Sequence, residues 1–381
     1  MPELHLLDDE IEGQLRDAVA RFVAERCGHK VATSLYDGLR SGREDVWAAL
    51  AYEMDLAGVL IPAELGGNGG SPRQAAVVME ELGRWVCPVP FLTSAVLATT
   101  ALVHGGSQLA AALVRDRRTA CLAVSFATAP DGRVSSVTAD RRGRLTGSIS
   151  SVAGLIEADM VLIPAVADGR VSLYAIERRA VDVDPIVSLD MTRQIADLHV
   201  DQVPCEPVIA DAEPAVTAGV ETAAGLLASE QVGLAQWCFQ TTVDYLKQRR
   251  QFGRVVGSYQ AIKHRLANLY VAVEEAAATA RYAAAALAEG AADVPVAVST
   301  AQAYCSDVAV WVAEESIQLH GGIGMTWEYP LHLYVKRAKA DQIALGSPGD
   351  HRARLARIVD LPPAADRSAH WVAMRDVVVP T

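Results

Sequence analysis

Arg249 and Phe252 stand three residues apart in Arg249-Arg250-Gln251-Phe252-Gly253. If the preceding helix runs through them, they share a face near its C-terminal end. There a guanidinium can grip a phosphate in bidentate fashion and an aromatic ring can pack on adenine. The same residues also suit an exposed basic helix end stopped by Gly253. A second cluster, Gln318-Leu319-His320-Gly321-Gly322-Ile323-Gly324, sets a side-chain amide one turn ahead of glycines. A ligand can approach their backbone closely because no Cβ intervenes. A Gly-rich helix C-cap is the plain alternative. No strand of a β-α-β unit precedes this cluster, so it has little support as a Rossmann fingerprint. The two motifs gain weight as a pair.

The elements that must position them read as helices. Val232, Ala235, Phe239, Val243 and Leu246 follow three-and-four spacing, as do Ile262, Leu266, Leu269 and Val273, so each segment presents an apolar stripe. A further helix is expected from about Val296 to Leu319 and another from Pro330 to Gln342, giving a four-helix bundle with short connections over 214–360. Ahead of it, 119–213 has short β-rich runs, Cys121 to Phe126, Arg133 to Thr138, Met160 to Ile163, Val171 to Ile176 and Ile195 to Val200, punctuated by Asp131-Gly132 and Asp168-Gly169. That spacing predicts a small antiparallel barrel or sandwich. Residues 1–118 read as mostly helical, with Ser71 as N-cap and Pro72 at the first position of one helix. Residues 361–381 open with Leu361-Pro362-Pro363 and read as a tail. The fold class expected is α+β: an N-terminal helical domain, a middle antiparallel β-domain and a C-terminal four-helix bundle.

The 381 residues are 51% hydrophobic and 21% charged, enough to bury sizeable cores in two or three domains. The formal charge of −12 comes without a basic block, which argues against a nucleic-acid surface. Acidic residues fill the first positions where a secretory signal needs a basic head and an apolar core, so a cytoplasmic location is expected. Apolar stretches such as Ala95 to Val103 break before the roughly 20 residues a membrane helix needs. The six cysteines are far apart and form no C-x-x-C pair, and neither His320 nor His351 has a partner at metal-ligand spacing; no metal site is expected.

Taken with their setting, the two motifs resemble the FAD-binding C-terminal domain of acyl-CoA dehydrogenases. The stretch from Tyr245 to Ala267 and that from Gln318 to Trp327 are close to the family's pattern, and Pro62-Ala63-Glu64-Leu65-Gly66-Gly67-Asn68-Gly69 followed by Glu80-Glu81-Leu82-Gly83 resembles its N-terminal loop and helix. The resemblance covers nearly the whole chain. It implies that Arg249, Phe252, Gln260, Gln318, Gly321, Gly322 and Gly324 hold the ADP half of FAD, reaching across to the flavin of a neighbouring subunit. It also implies an acyl-CoA substrate, a flavoprotein electron acceptor and an oligomer, usually a tetramer.

Two segments depart from the family. Where its members carry Thr-Glu-Pro-Gly-x-Gly-Ser-Asp, this chain reads Ala127-Thr128-Ala129-Pro130-Asp131-Gly132; where they carry Gly-x-Lys-x-Trp-Ile-Thr over the isoalloxazine ring, it reads Gly147-Ser148-Ile149-Ser150-Ser151-Val152. The catalytic base departs further. Removing the substrate's α-proton calls for a positioned carboxylate, worth roughly 10²- to 10⁴-fold in rate. The family's Tyr-Glu-Gly-Thr is here Ala344-Leu345-Gly346-Ser347, which puts Leu345 at the base, and the alternative position used by some members falls on Ala223. Glu221, Glu230 and Asp350 are the displaced candidates, each with a structural role to weigh against it: Glu230 in an ion pair, Asp350 as a helix cap.

The expectation is an acyl-CoA dehydrogenase subunit that completes the FAD site of a paralogous catalytic chain in a heteromer, with bulky acyl-CoAs such as steroid side-chain thioesters as substrates. A self-sufficient homotetramer with a displaced base and a flavin-free scaffold are the alternatives.

Overall fold

The structure, a computed structural model, describes residues 5–38 and 42–361. The expected tail, beyond Leu361 itself, lies outside the described residues. The N-terminal part carries helices α1 (Glu10–Arg26), α2 (Gly28–Tyr36), α3 (Arg43–Ala48), α4 (Pro72–Arg84), α5 (Thr99–His104) and α6 (Leu109–Arg115). Ser71 caps α4 as its sequence indicates: its hydroxyl accepts from Gln74 N–H while the Gln74 side chain accepts from Ser71 N–H, and Pro72 takes the first position.

The middle part is a sheet of β1 (Ala120–Leu122), β2 (Val137–Ala139), β3 (Arg144–Ala153), β4 (Met160–Ala167), β5 (Arg170–Glu177), β6 (Asp182–Ile186), β7 (Ile195–Pro204) and β8 (Pro207–Ile209). The order is β6-β7-β3-β2-β4-β5-β8, with β1 beside β4. Most pairs are antiparallel, yet β1–β4 and β2–β4 are parallel. The purely antiparallel expectation is corrected there. The chain between β2 and β4 runs through β3, which pairs on the other edge of β2, so a parallel neighbour arises without a crossover helix. Ser- and Gly-rich β3 has register shifts along β7, which hid its alternation in the sequence.

The C-terminal part packs α7 (Glu213–Gln248), α8 (Gln260–Glu289), α9 (Val294–His320) and α10 (Leu331–Ile343), followed by the shorter α11 (Pro348–Ile358). Ala-rich faces of α7, α8 and α9 meet in one core. The first half of α7 belongs instead to the core of the N-terminal helices. Helices α4 and α7 cross so closely that a Cβ at Gly83 would lie 2.2 Å from the Glu230 carbonyl oxygen and one at Gly233 would lie 1.9 Å from that of Glu80. Only glycine fits both positions. This crossing fixes where Glu230 enters the interior. Among the described residues, no helix is long and apolar enough to cross a membrane.

Candidate functional site

The two sequence motifs end up at one end of the bundle. Helix α8 runs antiparallel to α7 and α9, so the start of α8 lies beside the ends of both. The ring of Tyr245 stacks on His320 at 4.4 Å, and its hydroxyl donates to the His320 carbonyl at 3.3 Å. Arg265 of α8 reaches Glu315 of α9 at 2.5 Å, closing the third side.

The expectation that α7 runs through Arg249 and Phe252 is corrected. The helix stops at Gln248, Arg249 is extended, and Phe252 sits at the tip of a two-residue hairpin between β9 (Arg250–Gln251) and β10 (Arg254–Val255). Phe252 and Gly253 both have positive φ, +50° and +78°, as a tight hairpin turn demands. A phenylalanine there is strained, and it is 92% exposed. Holding a large apolar ring in water on a strained turn is the mark of a group built to meet something else.

Gln260, Gln318, Arg249 and the turn glycines Gly321 and Gly322 are exposed beside it, while Gly324 is buried under the turn. A Cβ at Gly321 or Gly322 would meet nothing within 4 Å. Arg249 has no carboxylate within ion-pair reach among the described residues. A free guanidinium, two free amides, an unshielded backbone turn and an exposed ring together fit the phosphates and adenine of FAD's ADP half.

The second region is a pocket of about 260 Å³ between the sheet and α10. Ser125, Phe126, Ala127 and Ser151 wall one side, Ser188, Leu189, Asp190, Arg193 and Ile195 a second, and Lys339, Ala340, Ile343 and Ala344 the third. Both departing β-segments and the Ala344-Leu345 segment converge here. Ser151 falls where the family pattern carries Trp, so the wall that would cover a flavin ring is reduced to a hydroxymethyl group. The volume lies just under the roughly 300–1,000 Å³ of small-molecule sites. Several backbone donors along the wall are already engaged: Phe126 N–H with Ser151 O at 2.9 Å, Ser151 N–H with the Asp197 carboxylate at 2.8 Å, and Thr128 N–H with Ser125 O at 2.9 Å. This chain's own pocket fits an isoalloxazine ring poorly.

Leu345 is wholly buried and packs in the N-terminal core with Ala344 and Ala223. Its N–H donates to Phe126 O at 2.6 Å, and its carbonyl accepts from His351 Nε2 at 2.9 Å. Burial pushes the His351 imidazole below its usual range, so the ring is neutral and Nε2–H is the donor.

The displaced-base candidates are all engaged elsewhere. Glu221 pairs with Arg354 at 2.7 Å. Glu230 is 3% exposed and accepts from Arg193 and Arg337, each at 2.6 Å. Burial works to raise its pKa, but the two guanidiniums overcome that and hold it below the usual carboxylate range. Asp350 serves α11, with one refinement of the expected cap: Ser347 is the N-cap, and Asp350 reaches back to accept from Ser347 N–H at 2.9 Å. None of the three lines the pocket.

Four members of the charged floor went unnoticed in the sequence: Asp190, Arg193, Arg337 and Asp341. Arg337 is 2% exposed and Asp341 is fully buried. In Lys336-Arg337-Ala338-Lys339-Ala340-Asp341 they read as an ordinary solvated helix face. The one available signal was Leu333 and Tyr334 one turn earlier, which put the buried stripe on the Arg337 side.

Comparison with known proteins places the chain's two helical parts in one family. Residues 9–111 match the acyl-CoA dehydrogenase N-terminal domain and residues 215–359 the acyl-CoA dehydrogenase C-terminal domain. The chain is 35% identical over 341 residues to acyl-CoA dehydrogenase IpdE2 of Mycobacterium tuberculosis, covering 90% of this chain and 95% of that protein. It is 32% identical over 343 residues to IpdE2 of Mycolicibacterium smegmatis, covering 90% and 96%. Among solved structures, it superposes on a chain of the ChsE4-ChsE5 complex from Mycobacterium tuberculosis with a TM-score of 0.83 and 26% identity, covering 95% of this chain and all of that one. A variant of the steroid acyl-CoA dehydrogenase Tcur3481-Tcur3483 gives 0.82 and 27%, covering 93% and 99%.

Proposed function

Because this chain belongs to the acyl-CoA dehydrogenase family, whose members are FAD-binding oxidoreductases acting on acyl-CoA, we propose that it is the subunit that completes the FAD site of a paralogous catalytic chain. The observation that carries this reading is a contrast within one molecule. Leu345, at the position of the base, is sealed in the core with both main-chain groups hydrogen-bonded, while Arg249, Phe252, Gln318 and the turn glycines stand free and exposed at the end of the bundle. Two of the solved relatives are named as pairs of chains, which supports a heteromeric assembly, and one is named as a steroid enzyme, which supports a bulky acyl thioester as substrate.

FAD, when bound, accepts the hydride that leaves the β-carbon of the acyl chain. This chain's part is binding and orientation. Arg249 offers its guanidinium to the phosphates, Phe252 its ring to the adenine, and Gln260, Gln318 and the Gly321-Gly322 backbone their hydrogen-bonding groups. The α-proton goes to a carboxylate of the paralog, since Leu345 accepts no proton and Glu221, Glu230 and Asp350 are held in other contacts.

The test is co-purification with a paralog that has an intact Tyr-Glu-Gly-Thr segment. The pair is expected to be yellow and to desaturate acyl-CoA, and Arg249→Gln in this chain to lower its FAD content without separating the chains. Stoichiometric FAD and turnover in this chain purified alone would overturn the reading.

A further inference from the structure

Beneath the pocket lies a closed group of charges that does not balance. Arg337 donates to Asp190 Oδ2 and to Glu230 Oε1, both at 2.6 Å. Arg193 donates to Glu230 Oε2 and to Asp341 Oδ1, again both at 2.6 Å. The side chains of these five residues are all 10% exposed or less. Three carboxyl groups therefore face two guanidiniums away from water, an excess of one negative charge if every acid is ionised. Such an excess in a low-dielectric interior is costly, and a proton relieves it.

The hydrogen bonds show where the proton sits. Both oxygens of Glu230 accept from guanidiniums; Asp190 accepts from Arg337 on one oxygen and from Thr192 N–H and Oγ1–H on the other. In Asp341, among the described residues, only Oδ1 has a donor, and Oδ2 is buried with none. Two amide oxygens in the same shell, Gln231 Oε1 and Gln302 Oε1, are likewise buried with no donor, while their Nε2 groups both donate to the main-chain carbonyl of Asp341 at 3.3 Å. The shell lacks donors and has one negative charge too many. A single hydrogen on Asp341 Oδ2 removes the excess charge and turns one acceptor without a donor into a donor.

We propose that Asp341 is a neutral carboxylic acid in the folded protein, and that its proton holds the weld of Arg193, Glu230 and Arg337 that forms the floor of the pocket. Burial, and then the charge of Glu230, push Asp341 well above the usual carboxylate range against the pull of Arg193 and Arg337. The groups that face it are the same from every side. The loop before β7 brings Asp190 and Arg193, α7 brings Glu230, α10 brings Arg337 and, beside Asp190, the partly exposed Lys336, and among the described residues α9 brings the uncharged Gln302 and Ser306. Farther out, Tyr36 and Cys87 are raised by burial and stay neutral.

A carboxyl raised in the folded state costs nothing at low pH and costs progressively more as pH climbs from its unfolded value near 4 to its folded one. Deprotonation would leave Oδ2 charged and buried with no hydrogen-bond donor among the described residues. The weld is therefore tight while Asp341 keeps its proton, and the cost of keeping it grows as pH rises above about 4.

The test compares the wild-type chain with Asp341→Asn, an uncharged mimic of the acid, by infrared difference spectroscopy and by thermal unfolding between pH 6 and 9. The wild type is expected to show the carbonyl stretch of a protonated carboxyl group at pH 7, lost in D341N. D341N is expected to unfold at a higher temperature than wild type at pH 7, because it does not carry the cost of holding a proton that the unfolded chain has released, and to lack the wild type's decline as pH rises. Glu230→Gln sets the scale of losing a true ion-pair partner. A D341N loss as large as that of E230Q, or no protonated-carboxyl band in the wild type, overturns the proposal.

Discussion

The main-chain N–H of Leu345 donates to the carbonyl of Phe126 at 2.6 Å, tying the segment that carries the family's base to the sheet wall of the pocket. Leu345 holds φ of +54° to do so, a left-handed backbone that costs a non-glycine residue about 1–2 kcal/mol and is offset here by complete burial of its side chain. The loop is therefore built to be shut. Restoring the carboxylate by Leu345→Glu is expected to destabilise the chain by roughly 3–5 kcal/mol through an unpaired buried charge and to give no dehydrogenase turnover in the chain alone. Denaturant midpoints and an acyl-CoA assay check both; turnover in a stably folded L345E chain would show that the rest of the site was intact.

Phe252 gives a separable prediction. Its ring is almost fully in water and its backbone is left-handed, so Phe252→Gly removes little burial and relieves about 1 kcal/mol of strain. The variant is expected to be as stable as wild type or slightly more so, while the assembled complex loses FAD more readily. Thermal unfolding of the chain beside FAD retention by the complex measures the two effects. A destabilised chain would mean that the ring packs within its own subunit.

How much of this was legible in the sequence depends on the kind of signal. The bundle was legible because Val232 to Leu246 and Ile262 to Val273 keep helical spacing over several turns. The end of α7 was not, since Gln251-Phe252-Gly253-Arg254 lacks the Asn-Gly or Asp-Gly pair that usually marks a two-residue hairpin, and the strained Phe252 shows only in the backbone. The motif residues Arg249, Gln318 and Gly321 were recognisable as types at a spacing. Their meeting at one end followed only once α7, α8 and α9 had been placed antiparallel. The floor of the pocket was illegible for another reason: Asp190, Arg193, Glu230, Arg337 and Asp341 come from three elements spread over some 150 positions, and charged residues on a helix are ordinarily solvated.

The crossing of α4 and α7 is a tight point of the fold. A methyl group at Gly233 would lie 1.9 Å from Glu80 O, so the helices must part to admit it. Gly233→Ala is expected to cost at least the 1–3 kcal/mol of ordinary overpacking, even though alanine favours the helix intrinsically by about 1 kcal/mol. Because the adjacent turn carries Glu230, the displacement would also disturb its pairing with Arg193 and Arg337. A denaturant midpoint equal to wild type would show that the crossing is more compliant than the packing indicates.

Acid should unfold this chain well before its carboxylates titrate, because several histidines are buried neutral. His29 is pulled down to about 4 by burial and by nearby His332, and burial likewise lowers His320, His332 and His351. Tyr334 Oη donates to Arg84 O, so it accepts from His29 Nε2–H and holds the neutral ring in one tautomer. In the unfolded chain these imidazoles protonate near pH 6.5, whereas the folded chain resists until lower pH. The unfolded state therefore binds more protons as pH falls through that window, and stability present above about 6.5 is lost toward 4. Each such histidine contributes roughly 1.4 kcal/mol per pH unit within its own window. Urea midpoints at pH 7.5, 6 and 5 should fall in that order, and His29→Gln should flatten the slope. Equal midpoints at pH 7.5 and 5 would mean that these rings are already open to water in the native protein.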